Sequence, residues 1–327
     1  VKNSSSLTVL EGSNIDVSGD FESESSANVV LKSGASIIVN GSKTGNITYR
    51  RNLPTDEYFL VSPPVFGQSY NDTYVNDYNI DEATNINAIA TYISSTNNWD
   101  WMSDGENLTF TSGVGYNVKL ENNENGGELS FTGEIAGDLE TQNGGVNFTL
   151  SHDPNSVSPG QSIEGYNWNL VGNPYPAYIR NYNFLNSVSN SSIIYAAIWS
   201  WDSGGGTYVV RTRDIDDSDN KDFYIAPGQG FFVKAVNDGT INFSEANQYH
   251  QIEEGVSDTF QRTTPLTRIK LIINNGSSYN RICYVYYIGN TTLGFDLGYE
   301  GLIFGGGGNP NSLAIYTQLL EDNEGVN

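Results

Sequence analysis

Thiols and imidazoles are almost missing from this chain. Its 327 residues include one cysteine, Cys283, and two histidines, His152 and His250. A lone cysteine excludes an internal disulfide framework and a thiolate metal site. Its apolar neighbours Ile282 and Tyr284 make a buried, structural thiol the expectation. With two histidines and no Glu-rich motif around either, a zinc centre built on two or three imidazoles is short of ligands. Basic charge is scarce as well: 15 Lys and Arg face 38 Asp and Glu, for a net charge of -23. Phosphate backbones are held by clustered Lys and Arg, so nucleic acid is excluded as a partner, and an anionic membrane surface would repel the chain. No run of about 18 apolar residues occurs, so membrane insertion is not expected. The chain opens at Val1 without an apolar leader, which reads as the processed start of a secreted protein.

What the chain has instead is turn and strand chemistry, with 35 Gly and 21 Tyr beside abundant Asn, Ser and Thr. That composition belongs to an all-β protein whose faces are hydrogen-bonded rather than charged. Repeats give it an order. LTVLEGSNIDVSG (7–19) superimposes on VVLKSGASIIVNG (29–41) with a shift of 22, placing Gly12 on Gly34 and Ile15 on Ile37. Strand and turn at that period predict a small β-solenoid over residues 1–55.

A longer duplication follows. YFLVSPPV (58–65) matches WNLVGNPY (168–175), FTSGVGYNVKL (110–120) matches IAPGQGFFVKA (225–235), and GGELSFTGE (126–134) matches DGTINFSEA (238–246). A W-x-W pair, Trp99 and Trp101, is aligned with a second one, Trp199 and Trp201. The same phrases in the same order predict tandem β-sandwich or jelly-roll-like units over 56–160 and 161–250, with C-terminal strands of an incomplete domain over 251–327. The repeated Gly-x-Gly precedes period-2 strands, not a helix, so it is no dinucleotide fingerprint. One short helix is expected within 77–90.

The phrases SLTVLEGSNIDVSGDF, YFLVSPPVFGQ, NLVGNPYPAYI, YIAPGQGFFVKA and GFDLGYEGLIFGG resemble those of secreted, modular surface proteins of Bacteroidota-type bacteria, exported by the type IX secretion pathway. The resemblance implies an extracellular, cell-surface location. It also implies further strands and a sorting domain beyond the position of Asn327, and a terminal domain lacking its last strands would offer an open edge to another copy.

Chemistry-bearing clusters are few. Asp214, Asp216, Asp217, Asp219 and Asp222 crowd one loop, where hard carboxylate oxygens suit a structural Ca2+; the loop lacks the glycine and the bidentate glutamate of an EF-hand, and a solvated acidic turn is the alternative. Trp99, Trp101, Trp199 and Trp201 either stack on the apolar faces of sugar rings or fill a sandwich core. Glu134 and Glu245 occupy matching repeat positions, which a shared fold explains without a glycosidase pair. A Ser-His-Asp triad would need His152 or His250 as base, and no nucleophile elbow occurs. The expectation is a non-enzymatic structural or adhesive protein of the cell surface, self-associating into filaments by β-strand pairing. A polysaccharide-binding module is the alternative, and a carbohydrate-active enzyme ranks third.

Overall fold

Three parallel ladders, each offset by 22 residues, make up the N-terminal part of the computed structural model. Ser6–Val9 lies on Asn28–Leu31, Asn14–Val17 on Ser36–Val39, and Phe21–Glu22 on Lys43–Thr44, with Ser6 opposite Asn28, Asn14 opposite Ser36 and Phe21 opposite Lys43. The model describes residues 1–2, 4–122, 127–136, 144–153, 167–203, 207–213, 223–250, 268–274 and 280–286. Strands dominate these, two short helices interrupt them, and the fold is all-β with several separate sheets. The solenoid corners explain the repeated glycines: Gly12 and Gly34 turn with φ of 72° and 77°, a region that side chains other than glycine's disfavour. Val29, Leu31, Ile37 and Val39 fill its interior.

The coil then shortens. Asn46–Asn52 continues the first ladder, but Val30 faces Thr48 instead of a residue 22 positions on. The far edge of that strand is taken antiparallel by Glu128–Glu134, with Tyr49 opposite Phe131. The open end of the solenoid is thereby closed by a strand of the next unit, and one hydrophobic core runs through both.

Two β-sandwich-like units follow, built alike. The sheet of the first has the order 98–103, 86–93, 116–119, 58–61, and that of the second 207–212, 197–202, 230–234, 168–172. Each is backed by an antiparallel pair, Asn46–Asn52 with Glu128–Glu134 and Gly145–Thr149 with Thr240–Ser244. Alternation sends Phe59, Val61, Tyr116 and Val118 into the first core, and Val171, Ile198, Phe231 and Val233 into the second. The helix expected within 77–90 is absent. Ile86–Ile93 is instead the central strand of the first unit, and the helix comes earlier, at Asp72–Asp77, where Asn71 accepts the Tyr74 N–H across 3.1 Å as N-cap. Its counterpart in the second unit is Asn181–Asn186.

The repeated Gly-x-Gly joins the two units. Ser62 N–H donates to Gly228 O and, in the mirror arrangement, Gly172 N–H donates to Gly113 O, both at 3.0 Å. Val61 bridges Gln229 as Val171 bridges Val114. Each loop thus crosses onto the other unit's first strand, the reciprocal pattern of a two-fold interface written into one chain. Glycine is required by space. A Cβ on Gly115 would stand 2.7 Å from Val171 O and Leu170 Cγ, and one on Gly230 2.8 Å from Val61 O.

The second unit also docks on the solenoid: Ile37 N–H donates to Pro176 O at 2.8 Å, and Lys43 pairs with Glu245 at 2.8 Å. A final hairpin, Arg268–Asn274 with Asn280–Tyr286, carries Cys283. That thiol is half-buried rather than buried, and Leu271, opposite it on the facing strand, is 40% exposed.

Candidate functional site

The face of each sheet turned away from its own core carries the aromatic residues that the sequence offers as ligand-binding groups. Strand register sets out the correspondence. In the first unit this face presents Tyr58, Leu60, Asn117, Ala90, Tyr92, Trp99 and Trp101; in the second the same positions hold Trp168, Leu170, Phe232, Trp199, Trp201, Tyr208 and Val210. The two faces meet, and Leu60, Leu170, Trp168, Trp199 and Phe232 form a third buried cluster between the units.

The W-x-W pairs are therefore not equivalent, which corrects their alignment. Trp99 and Trp101 sit on the edge strand Asn98–Ser103, whereas Trp199 and Trp201 sit on Ala197–Asp202, the strand equivalent to Ile86–Ile93 in the second unit. The better match was AIATY (88–92) with AIWSW (197–201), a phrase pair visible in the sequence. Two pairs have exchanged bulk across the strands: Tyr92 faces Trp99 where Trp201 faces Tyr208, and Ala90 faces Trp101 where Trp199 faces Val210.

At the centre of the seam lies Phe232, fully buried. Its ring is edge-on to Tyr92 at 4.9 Å, to Tyr208 at 5.8 Å and to Trp99 at 6.2 Å. Trp199 stands edge-on to Trp168 at 4.6 Å and is 0% exposed, so it can stack on no ligand. Edge-to-face contacts of this kind add about 0.5–1.5 kcal/mol each beyond area burial. Burial pushes the Tyr92 and Tyr208 phenols well above their ordinary range. Trp201 is half-buried and its Nε1 has no acceptor among the described residues.

One end of the seam is partly exposed. Trp101 is half-buried and its ring lies 5.8 Å from that of Tyr58, which is 37% exposed. Beside them Lys119 pairs with Asp81, and its ammonium sits 5.9 Å from the Tyr58 ring centroid. The hydrogen bond to Asp81 is the main reason the Lys119 pKa is raised. The two rings are tilted by 58° to one another beside this charged pair.

A second constellation was only half visible in the sequence. His250 Nδ1 lies 2.7 Å from Ser36 Oγ, and its Nε2 lies 3.0 Å from Asp16 Oδ1. The three residue types are those of a hydrolase triad, yet Ser36 is 1% exposed and the exposed member is Asp16. No substrate reaches that hydroxyl, and the ring acts as a clasp holding the second unit's last strand on the solenoid. Glu245 is likewise engaged with Lys43, and His152 faces Asp238 at 3.3 Å. Among the described residues, no group of three His, Cys, Asp or Glu side chains is placed to hold a metal ion, and no helix is long and apolar enough to cross a membrane. Asp214, Asp216, Asp217, Asp219 and Asp222 lie outside the described residues.

Residues 1–324 match the model of a family described as a domain of unknown function (DUF8693). The chain belongs to that family. No curated protein and no solved structure gives a significant match. The match spans the solenoid and both sandwich units together, which agrees with the shared core and the reciprocal loop exchange that tie them into one body.

Proposed function

We propose that this chain is a non-enzymatic structural or adhesive protein of an extracellular cell surface, and that copies associate through β-strand pairing. The observation that carries the reading is the use made of the aromatic seam: Trp199, Phe232 and Trp168 are consumed in fixing one unit on the other, as His250 and Lys43 are in fixing the solenoid. Side chains best suited to chemistry are spent on rigidity, which a load-bearing surface module needs. The excess of acid over base keeps such a module from sticking to anionic surfaces. Negative-stain electron microscopy of the purified protein across a concentration series tests the reading. Filaments or regular oligomers support it, and monodisperse single particles at every concentration argue against assembly.

Polysaccharide binding is the second reading, favoured by the partly exposed end of the seam at Trp101 and Tyr58. Retardation in affinity gels containing soluble polysaccharides, abolished by Trp101→Ala, would support it. Identical mobility of the two proteins in every gel would remove it.

A further inference from the structure

The two ends of the solenoid are finished differently. At one end Glu128–Glu134 continues the first ladder, the Pro176 carbonyl takes the Ile37 N–H, and Glu245 holds Lys43. At the other end the strands of the first coil, Ser6–Val9, Asn14–Val17 and Phe21–Glu22, pair only with the second coil among the described residues. Burial records the difference. Val29, Ile37 and Val39 are buried, whereas Leu7, Ile15 and Val17, which lie opposite them one coil out, are half-buried. Solenoids stay in solution by ending on a polar cap, and a terminal coil with bare strand edges and a half-exposed inner row is a template for more β-structure.

The strand Ser6–Val9 is the one suited to a second copy. Asn28 N–H donates to Ser5 O and Lys32 N–H to Val9 O, so the odd-numbered residues turn their backbone groups to the second coil, and Ser6 and Thr8 turn theirs outward. None of residues 6–9 is charged, in a chain whose net charge of -23 makes its copies repel. Asp16, Asp20 and Glu22 of the same coil are engaged, with His250, the Ser42 N–H and Lys2. The same sheet shows how it takes an added strand. Glu128–Glu134 joins its far edge antiparallel and sets Thr132 opposite Thr48, hydroxyl to hydroxyl at 2.9 Å.

We propose that Ser6–Val9 of one copy pairs antiparallel with Ser6–Val9 of a second copy across a two-fold axis, so that each solenoid caps the other. Residues directly opposed in such a pair share a face, which limits the register. Centring it on Thr8 sets the inward Leu7 of each copy against the inward Val9 of the other and brings Leu10, 63% exposed, beside Ser6. Centring it on Leu7 would set Val9 against the exposed Ser5. Thr8 therefore meets Thr8, as Thr48 meets Thr132 at the closed end. One surface is used twice, so the contact is isologous and stops at two copies. This proposal rests on the self-association reading above and names the surface that carries it.

Sedimentation velocity over a concentration series tests it on the full chain, which should approach a dimer and grow no further. Proline is tolerated on an edge strand where its missing N–H faces outward, so Thr8→Pro should keep the wild-type near-ultraviolet circular dichroism. It should nevertheless weaken dimerisation by at least about tenfold, because the two-fold axis removes both central hydrogen bonds at once. A second measurement leaves the backbone alone. With Cys283→Ser in place, Thr8→Cys should give a disulfide-linked dimer on oxidation, whereas Asn28→Cys, exposed one strand further in and separated from its mate by two strands, should not. Wild-type association that survives Thr8→Pro, with no link through Thr8→Cys, overturns the named surface while self-association stands. Growth beyond two copies that Thr8→Pro leaves unchanged does the same. A wild type that stays monomeric throughout overturns the surface and the assembly reading together.

Discussion

Set side by side, the two sandwich units share a strand order and a Gly-x-Gly crossing but differ in how they fill the face between them. The second presents Phe232, Trp199 and Trp168 where the first presents Asn117, Ala90 and Tyr58. A symmetric homodimer could not do this, since each patch would meet its own copy. Within one chain the halves are free to become knob and socket. What the units keep in common is the volume of one facing pair, since Tyr92 with Trp99 in one corresponds to Trp201 with Tyr208 in the other. Close packing tolerates exchange of bulk between neighbours more readily than a change in its sum.

The sharpest way to break the comparison is at its knob. Phe232→Ala should cost about 3–5 kcal/mol, the range for emptying a buried aromatic site. The corresponding Asn117→Ala should cost about 1 kcal/mol or less, since Asn117 makes no central ring contact. Urea unfolding checks both through the shift in midpoint at constant slope. Equal losses would mean that the seam is not asymmetric in energy.

The next largest effect probes what the units still share. Gly115→Ala and Gly230→Ala each force a Cβ to within 3 Å of the other unit's first strand. Overpacking of this order costs about 1–3 kcal/mol. The two losses should agree within about 1 kcal/mol, because the crossings are reciprocal; a large difference would show that one crossing holds the units and the other merely accompanies it.

These glycines also show what a reader of the sequence could and could not see. The 22-residue solenoid period was legible because every coil must put its turn and its inward residues at the same place, and Gly12 over Gly34 records that. The sandwich duplication was legible in LVSPP and LVGNP and in the two Gly-x-Gly phrases, where backbone crossing allows no other side chain. The aromatic seam was misaligned because packing constrains the pair, not the position: Trp moved from an edge strand at Trp99 to a central one at Trp201 while the bulk of that Tyr–Trp pair stayed. The clasp of Ser36, His250 and Asp16 was out of reach, since it joins positions more than 200 residues apart whose proximity only the assembled units create.

A smaller effect comes from pH. Burial holds the Tyr92 and Tyr208 phenols neutral well above the ordinary value of 10. Their folded pKa is raised, so the stability they favour is intact below about pH 10 and falls as pH climbs past the value of the unfolded chain, where only unfolded phenols ionise. Absorbance at 295 nm should show these two phenols titrating together with the loss of near-ultraviolet dichroism. Tyr92→Phe and Tyr208→Phe should move that transition to higher pH. Ionisation of all phenols before any loss of structure would remove the seam from the explanation.

The smallest expected effect separates the exchanged aromatics themselves. Trp201 corresponds to Tyr92, yet its Nε1 is buried with no acceptor among the described residues, whereas Tyr92 directs its hydroxyl to Asn97. An unpaired buried donor carries a desolvation penalty, so its removal offsets part of the packing lost with the larger ring. Trp201→Phe should accordingly change stability by no more than about 1 kcal/mol in either direction. Trp199→Phe, at a fully buried site edge-on to Trp168, should cost at least about 1 kcal/mol more. Differential scanning calorimetry of the two variants resolves that difference, and a Trp201→Phe loss as large as that at Trp199 would show that the indole N–H is satisfied in solution and that Trp201 belongs to the fixed core of the seam.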